Sequence, residues 1–529
     1  MSRSPRTSAR LRAAGLLLGG LLLTAACSAP AAPAAAPTLA WAACPSDPAL
    51  HCTTITVPLD RAEPGGATVA LPVVKVPARQ PEQRLGSLVL HRGGPGYSVL
   101  EYLAAIRSGQ LTDPLRQAVY DRYDVIAVDQ RGAGGSQPAV RCFANPEDAA
   151  ALTAGLPTIP VTDDERAARI RADAEFAAGC RAESGDLLDH ISTEDAARDL
   201  DDLRAALGDD RLNFVGQSYG TFVGTVYANL FPERVGRFVF DSVVDPAQVA
   251  GDDPLRSTRT GADVASAETM AEFLRLCAVG GERCPFGAGD PAGAFDRLTA
   301  RLQAEPVTLT APDGRTIRMG WSEVVSWAGN WLYQPSMWEQ PVSGASFLAG
   351  AEQAAGDPAG PMGQAMAQVL LSLRNDADLI TAPYAGALNA TAYGVNCSEN
   401  TYPADQDALL AAIDERAAAV PRFGALRGWS DSVCAQWPVR DQGYTGPWDA
   451  ATDEPILIMN SRFDPATPLA AAERLHDLLP HSVLLVHEGW GHVTVQQSGC
   501  MTDAASAYLV DGTVPAPGTT CAPDHVPFS

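Results

Sequence analysis

The stretch that decides the fold is Leu212-Asn-Phe-Val-Gly-Gln-Ser-Tyr-Gly-Thr-Phe-Val-Gly224. Its first residues predict a buried strand over residues 212–216, and residues 221–230 predict a helix directly behind it. Between them, Gly216 to Gly220 form a Gly-x-Ser-x-Gly pattern, whose glycines allow a sharp turn that leaves a serine hydroxyl exposed. Such a pattern arises by chance in roughly one chain in five of this length, so the strand and helix around it carry the argument. We predict that Ser218 is a nucleophile.

Short apolar runs elsewhere predict strands that mostly alternate with helical patterns, which indicates a mainly parallel sheet covered by helices. The first two runs follow one another without a helix and predict a hairpin at one edge. A helix before the serine strand is predicted to start near Ser192, with Asp195 in capping-box spacing, and to stop at Gly208. The eight predicted strands span residues 53–59, 68–76, 87–91, 123–129, 212–216, 237–241, 455–460 and 482–487.

A serine hydroxyl needs a general base oriented by an acid, and in this arrangement acid and histidine follow the serine along the chain. Asp464 comes just after a predicted strand, and Pro465 favours a loop there. His492 follows the last predicted strand and has a glycine before it. Both positions lie beyond carboxyl ends of strands, where open α/β sheets place their sites. We therefore predict a catalytic triad of Ser218, Asp464 and His492.

Three residues remain as alternatives for the triad. His91 is the main rival base, although it precedes the serine, and Asp241 and Asp245 are alternative acids beyond another strand. The segment His91-Arg-Gly-Gly-Pro-Gly96 follows the third predicted strand, from which this arrangement supplies an amide to the oxyanion hole. We predict that the N–H groups of Gly94 and Tyr219 form that hole.

The predicted domain organisation follows from where the strand pattern stops. Residues 246–430 are rich in Ala, Gly and helical patterns, and three Trp fall in the short stretch from Trp321 to Trp331. This segment predicts a mainly helical cap inserted into the sheet domain. The N-terminal and C-terminal parts of the core would then be residues 44–245 and 431–529. At 529 residues the chain is longer than one ordinary core allows.

The first 26 residues predict a signal peptide, with several arginines, an apolar run and small residues before Cys27. Leu23-Thr-Ala-Ala-Cys27 resembles a bacterial lipobox, with Thr24 where Leu is usual, so Cys27 is the predicted lipidation site and plain cleavage with release is the alternative. The Pro/Ala-rich residues 27–43 predict an extended tether. We expect a protein of the cell envelope, anchored on the outer face of the cytoplasmic membrane and contacting the membrane only through this anchor.

Export makes disulfides the natural interpretation of the cysteines. The chain has 11 Cys, so an even number remains when Cys27 is set aside. Sequence cannot fix the pairing, but short loops suggest Cys44 with Cys52, Cys142 with Cys180, Cys277 with Cys284, Cys397 with Cys434, and Cys500 with Cys521.

Charge and motifs exclude several classes of partner. The net charge of −24 would repel a phosphate backbone, which argues against nucleic acid. No C-x-x-C pair or H-E-x-x-H motif is present, so we predict no metal site. The triad chemistry needs no cofactor, and we expect a monomer acting on a peptide or small ester.

From Cys44 to Cys521 the sequence resembles the secreted tripeptidyl aminopeptidases of actinobacteria, relatives of the prolyl iminopeptidases within the α/β hydrolases. This resemblance implies an α/β-hydrolase fold with an inserted cap. One departure is His91-Arg92, where these enzymes often have Asn-Pro before the double glycine. The segments that carry the resemblance are Gly93-Gly-Pro-Gly96, Asp129-Gln-Arg-Gly132 with Gly135-Ser136, Gly216-Gln-Ser-Tyr-Gly-Thr221, Phe231-Pro-Glu-Arg-Val235 with Asp241, Asp464-Pro-Ala-Thr-Pro468 and Gly491-His492.

The resemblance implies a serine exopeptidase that releases short peptides, with tripeptides expected, from free N-termini. It also implies that carboxylates at the cap border hold the substrate ammonium; Asn396-Cys-Ser-Glu399 resembles that segment, so Glu399 is the candidate. Two alternatives stay open. A carboxylesterase or lipase could use the same triad, because fold and triad do not decide between ester and amide, and a lipoprotein could bind peptides without cleaving them.

Overall fold

The computed structural model describes residues 39–249, 255–374, 386–400, 402–403, 405–440 and 443–529. The predicted signal peptide, Cys27 and most of the predicted tether lie outside these residues.

All eight predicted strands are present, and short strands extend the sheet at both edges to ten. Two further strands pair with each other inside the predicted cap. Within the described residues the strands are β1 (Ala42–Ala43), β2 (His51–Pro58), β3 (Thr68–Val76), β4 (Gly86–His91), β5 (Tyr123–Val128), β6 (Leu212–Gln217), β7 (Val235–Asp241), β8 (Val307–Thr310), β9 (Thr316–Met319), β10 (Ile456–Phe463), β11 (Ser482–Trp490) and β12 (Thr520–Cys521).

The main sheet has the order β1-β2-β3-β5-β4-β6-β7-β10-β11-β12. The neighbouring strands β1–β2, β2–β3 and β3–β5 pair antiparallel. All the other neighbours in this order, from β5–β4 to β11–β12, pair parallel. The predicted hairpin is β2 with β3, and β1 pairs outside it through Ala42 and Ala43. The last residues of the predicted tether therefore belong to the sheet.

Strand register brings the ends of the central strands to one level. His91 pairs with Gly216, Gln217 pairs with Asp241, and Asp241 pairs with Met459. The loops that follow β4, β6, β7 and β10 therefore emerge side by side at the carboxyl edge of the sheet, which is where open α/β sheets bind their ligands.

Helices cover both faces of the sheet and build the cap. Within the described residues the α-helices are α1 (Val99–Arg107), α2 (Gln117–Arg122), α3 (Pro146–Thr153), α4 (Asp163–Ser184), α5 (Thr193–Leu207), α6 (Tyr219–Leu230), α7 (Pro246–Val249), α8 (Arg256–Arg259), α9 (Ala262–Gly280), α10 (Pro291–Ala304), α11 (Trp321–Trp331), α12 (Gly344–Gly356), α13 (Pro361–Arg374), α14 (Gly386–Ser398), α15 (Gln406–Ala419), α16 (Phe423–Ser430), α17 (Leu469–Leu478) and α18 (Gly499–Asp511). Ser192 caps the N-terminus of α5 through its hydroxyl, which accepts the Asp195 N–H, and Gly208 in the left-handed region caps the C-terminus, as predicted.

Alternating strand residues divide the core into two layers. Phe214 and Phe238 pack with α5 and α6 on one face, while Val215 and Val239 pack with α1, α2 and α18 on the other. This two-sided burial explains the continuous apolar runs of the parallel strands.

The segment between β7 and β10 is mainly helical, as predicted, and has its own apolar core around Phe273 and Trp331. Helix α4, which precedes the segment in the chain, also packs against it. Arg169 on α4 donates to the Trp429 carbonyl oxygen at 3.0 Å, and Ser432 donates to Asp173 at 2.6 Å.

Five disulfides link the cysteines in the predicted pairing: Cys44–Cys52, Cys142–Cys180, Cys277–Cys284, Cys397–Cys434 and Cys500–Cys521. Among the helices that the structure describes, none has the length and apolar character needed to span a bilayer.

Candidate active site

Ser218 stands at the turn between β6 and α6, as the sequence predicts. Its φ of 55° and ψ of −126° are strained values for a residue with a side chain. The turn is held from two sides: Ser218 N–H donates to the Asp241 carbonyl oxygen at 2.9 Å, and its own carbonyl accepts the Thr221 hydroxyl at 2.7 Å. The side chain is consequently fixed at the carboxyl edge and half-exposed.

Glycines permit the close packing around this turn. A β-carbon on Gly220 would lie 2.6 Å from the His91 carbonyl oxygen, and one on Gly224 would lie 2.3 Å from the Phe240 ring. Helix α6 therefore approaches the sheet more closely than a side chain at either position would allow.

Asp464 and His492 form the pair that the sequence predicts. Both carboxylate oxygens of Asp464 lie 2.9 Å from His492 Nδ1. Asp464 follows the carboxyl end of β10 and His492 follows that of β11. Since Nδ1 faces the acid, Nε2 is the ring nitrogen available to a serine hydroxyl.

Thr467 supports this pair from the same loop. Its hydroxyl donates to Asp464 Oδ2 at 2.9 Å and lies 3.3 Å from His492 Nδ1, and its N–H donates to Asp464 Oδ1 at 3.0 Å. Burial alone would raise the pKa of Asp464, but the charge and hydrogen bond of His492 outweigh it and hold the pKa below its ordinary value. The carboxylate therefore stays ionised beside the imidazole.

The alternative acids have other partners. Asp241 accepts the Thr494 N–H at 2.9 Å, the Thr494 hydroxyl at 2.8 Å and the Val495 N–H at 3.1 Å. Asp245 pairs with Arg474 at 3.0 Å. Asp241 thus anchors the loop that follows His492, and Asp464 is the acid that contacts the imidazole.

His91, the rival base, is buried under the glycine loop. Burial lowers its pKa to about 4, so the ring is neutral at neutral pH. Its Nδ1 accepts the Gly93 N–H at 3.2 Å. The geometry gives His91 a role in orienting the loop.

The predicted oxyanion loop lies directly on the nucleophile. A β-carbon on Gly93 would stand 2.4 Å from the Gln217 carbonyl oxygen and 2.9 Å from Ser218 Cβ. Gly93 and Gly94 have φ values of 99° and 115°, which glycine adopts without strain. Gly94 lines the cavities around Ser218, and Tyr219 N begins helix α6 beside it. Both predicted amides are therefore next to the serine.

A cap loop contacts the histidine from above. Tyr333, between α11 and α12, accepts the His492 N–H on its carbonyl oxygen at 2.9 Å, and its ring meets the imidazole edge-on at 5.2 Å between centroids. Sequence reasoning missed this contact, because no local pattern connects two residues so far apart in the chain.

Two cavities meet at Ser218, Gly94, Tyr333 and Ala392. One, the His492 cavity, has a volume of about 330 Å³. The other, the Asp431 cavity, has a volume of about 260 Å³. The serine thus borders two cavities, which could receive the two parts of a molecule that the reaction splits.

Glu399, the candidate for binding the substrate ammonium, lies behind the wall of the Asp431 cavity and does not line it. Its carboxylate is buried and accepts the Thr193 N–H. Burial raises its pKa to about 7. Asn396, on the preceding helical turn, lines the cavity instead.

Two carboxylates line the Asp431 cavity, Asp245 and Asp431, and Asp245 is paired with Arg474. Sequence reasoning missed Asp431. Its Oδ2 accepts the N–H and hydroxyl of Ser257 at 2.9 Å and 2.7 Å. Among the described residues Asp431 has no ion-pair partner within 4.0 Å, although Arg256 and Arg427 line the same cavity. An acid at the end of helix α16 with no motif around it carries no sequence signal.

Comparison with known proteins identifies the family to which this fold belongs. Residues 86–257 match the family described as alpha/beta hydrolase fold, and residues 419–521 match the family described as TAP-like protein. A tripeptidyl aminopeptidase of Streptomyces coelicolor is 31% identical over 94% of this chain and 88% of its own length. The chain belongs to the tripeptidyl aminopeptidase-like α/β hydrolases.

Two other relatives in this family of α/β hydrolases carry different names. The serine protease Hip1 of Mycobacterium tuberculosis is 30% identical over 89% of this chain and 87% of its own length. A carboxylesterase B of the same organism is 32% identical over 98% of this chain and 99% of its own length. Family membership makes the chain a serine hydrolase; the relatives differ in the bond that their names assign.

Proposed function

We propose that this serine hydrolase is an exopeptidase that releases short peptides, tripeptides as the expected length, from free N-termini. The observation that carries the proposal is the Asp431 cavity, which is lined by Ser218 and by the buried carboxylate of Asp431, a group without an ion-pair partner in the described residues. A buried carboxylate of this kind favours a cationic group. The relatives named tripeptidyl aminopeptidase and serine protease support the same assignment.

The reaction would proceed through an acyl-enzyme. His492 Nε2 removes the proton of the Ser218 hydroxyl, and the oxygen attacks the carbonyl carbon of the scissile peptide bond. The N–H groups of Gly94 and Tyr219 stabilise the resulting oxyanion. His492 then donates its proton to the departing nitrogen, and a water molecule, activated in the same way, hydrolyses the ester.

Asp464 and Thr467 act on His492 in this scheme. Asp464 holds the imidazole with its proton on Nδ1 and stabilises the cation that forms during the reaction. Thr467 keeps the carboxylate in place through its hydroxyl and N–H. The base is thereby oriented before the substrate binds.

The N-terminal side of the substrate would occupy the Asp431 cavity. The ammonium would pair with Asp431, and Arg256 and Arg427 on the same wall would donate to backbone carbonyl oxygens of the peptide. Glu399 would act from behind the wall, because its carboxyl group contacts Thr193 and adds negative potential near Tyr219. The length of the cavity would then limit the released peptide to a few residues.

A carboxylesterase is the second candidate, and a specific observation favours it: the relative named carboxylesterase B matches this chain over nearly its whole length. The same triad cleaves esters, and an ester needs no charged partner for an ammonium. Recognition of the free amino group is therefore the property that separates the two functions.

The deciding experiment measures kcat/KM on a free tripeptidyl anilide, its N-acetyl form and a short acyl ester, with Ser218→Ala as the blank. The peptidase predicts efficient cleavage of the free anilide and at least about thirtyfold lower kcat/KM for the acetylated form. Asp431→Asn should remove most of that difference, and Glu399→Gln should reduce it less. Cleavage of the ester alone would establish the esterase, and binding of the peptide without cleavage would support a binding protein.

Export to the cell envelope with Cys27 as lipid anchor belongs to the same proposal. The five disulfides support an oxidising location. Metabolic labelling with an alkyne fatty acid should modify the wild-type chain, and Cys27→Ala should abolish the label and move the protein into the medium. An unlabelled wild type in the medium would show simple cleavage and release.

A further inference from the structure

The His492 cavity is the cavity beside Ser218 that His492 lines. His492 must donate a proton to the departing nitrogen, and its side chain lines this cavity together with Ser218. The Asp431 cavity also borders Ser218, but His492 is not among its lining residues. If the proposed peptidase function holds, on which this inference rests, the residues after the scissile bond occupy the His492 cavity.

Arg92 brings a fixed positive charge into this cavity. Its guanidinium carbon lies 4.5 Å from the Tyr97 ring centroid and 5.4 Å from the Tyr102 ring centroid. Stacking on two rings holds the planar group in place while leaving its N–H groups free to bind. All three residues line the cavity.

The charge of Arg92 is not neutralised by the protein. Within the described residues Arg92 forms no ion pair, and the residues lining the His492 cavity include no Asp or Glu. The whole chain has a net charge of −24, so carboxylates are abundant in it. The lack of a carboxylate partner for Arg92, beside the nucleophile, therefore calls for an explanation. A substrate carboxylate supplies one, because a guanidinium binds it through two parallel hydrogen bonds.

A second donor lines the same cavity. Gln217 precedes Ser218 directly, and its buried Nε2 has no acceptor in good hydrogen-bond geometry among the described residues, with the Tyr102 hydroxyl as its polar neighbour. A buried amide without a partner costs free energy unless a ligand satisfies it. Arg92 and Gln217 thus present donors to the same space.

The position of Arg92 ties this charge to the chemistry. It follows β4 directly and precedes Gly93, whose N–H is held by His91. Arg92 is therefore fixed to the loop that carries the proposed oxyanion donor Gly94. Its distance from the reacting bond is set by the fold, so it would bind a group close to the cleavage point.

We propose that Arg92, assisted by Gln217, recognises a carboxylate on the leaving side of the scissile bond. The preferred substrates are then peptides that carry a negative charge just after the cleaved bond. That charge comes either from the C-terminus of a short peptide or from an acidic side chain. The two cavities would match the two charges of a short peptide, with its ammonium at Asp431 and its carboxylate at Arg92.

The test uses one tripeptidyl acyl part with three leaving groups: Ala-Ala with a free carboxylate, Ala-Ala amide and Asp-Ala amide. Wild type should cleave at least one carboxylate-bearing substrate about tenfold or more better than Ala-Ala amide in kcat/KM, mainly through KM. Arg92→Gln should reduce this ratio to near one, and Arg92→Lys should keep part of it. Arg107→Gln, at a surface arginine of α1 that pairs with Asp47, is the matched control and should keep the full ratio.

The relative cleavage of the three substrates identifies the source of the recognised carboxylate. Preference for the free C-terminus alone identifies short peptides, and preference for the Asp-Ala amide alone identifies acidic side chains. Equal cleavage of all three substrates by wild type, or an unchanged ratio in Arg92→Gln, would overturn the role of Arg92 while leaving the peptidase intact. Failure to cleave any free tripeptidyl anilide would remove the peptidase function and this inference together.

Discussion

The backbone N–H of His492 donates a hydrogen bond of 2.9 Å to the carbonyl oxygen of Tyr333. Tyr333 lies in the cap, so the cap holds the loop that carries the proposed base. Gly491 makes the contact feasible, because its φ of 93° and missing side chain let Pro335 approach. The cap therefore positions the base as well as covering the site.

Gly491→Ala should disturb this contact. The new β-carbon would stand 2.5 Å from Pro335 Cδ and 3.0 Å from the Tyr333 carbonyl oxygen, so His492 should move and kcat should fall by about tenfold or more. Gly518→Ala is the control, since Gly518 has a φ of 77° with open space around it. Both variants lose about 1 kcal/mol to the left-handed backbone, measured by urea unfolding. Equal kcat values in the two variants would contradict a positioning role for the cap.

Thr467→Val should weaken the Asp464–His492 pair. The substitution removes the hydroxyl that donates to Asp464 Oδ2 at 2.9 Å and keeps the shape of the side chain. A hydrogen bond to a charged group contributes about 1.5–3 kcal/mol, so kcat should fall by roughly tenfold or more. Thr467→Ser keeps the hydroxyl and should retain most of the rate. A fully active valine variant would mean that the hydroxyl has no part in orienting the pair.

Local patterns were sufficient to predict the centre of the site. Strand, sharp turn and helix around Ser218 follow from adjacent residues, and Asp464 and His492 follow from their places after strands. The proximity of these three residues follows from the geometry of a parallel sheet, since the carboxyl ends of neighbouring parallel strands lie at the same edge.

The remaining parts of the site depend on contacts between distant segments. Tyr333 and Asp431 reach the cavities only because the cap packs over the sheet, and no periodicity encodes that packing. Glu399 shows the reverse: Asn396 of the same segment lines the Asp431 cavity, but the direction of the Glu399 side chain depends on Thr193, a residue of α5. Strand β1 was missed because two residues are too few to show a pattern.

The buried carboxyl group of Asp241 should make stability depend on pH. Burial raises its pKa to about 6, above its ordinary value of 3.8. The folded protein therefore holds this proton more tightly than the unfolded chain. The resulting stabilisation is complete below pH 4 and is lost as the pH rises through 6.

Asp241→Asn removes this titration and provides the measurement. At about 1.4 kcal/mol for each pH unit, the free energy of unfolding of wild type relative to the variant should fall by about 2 kcal/mol between pH 4 and pH 7. Urea unfolding at intermediate pH values gives the profile. A difference that stays constant or rises with pH would show that Asp241 is not the group responsible.

Gly93→Ala should damage the proposed oxyanion hole. Its β-carbon would stand 2.4 Å from the Gln217 carbonyl oxygen, so the loop carrying the Gly94 N–H should move away from Ser218. Loss of one oxyanion donor lowers kcat by about a hundredfold. Gly109→Ala, with a φ of 76° and open space, should keep the rate. A normal kcat in Gly93→Ala would place the oxyanion donor elsewhere.

The most direct test of Ser218 as the nucleophile is covalent labelling with a fluorophosphonate, followed by mass spectrometry of peptides from the labelled protein. We expect one label on Ser218, no label in Ser218→Ala, and much slower labelling in His492→Ala, because the hydroxyl then lacks its base. A label on another residue, or equal labelling of Ser218→Ala, would contradict the proposed triad.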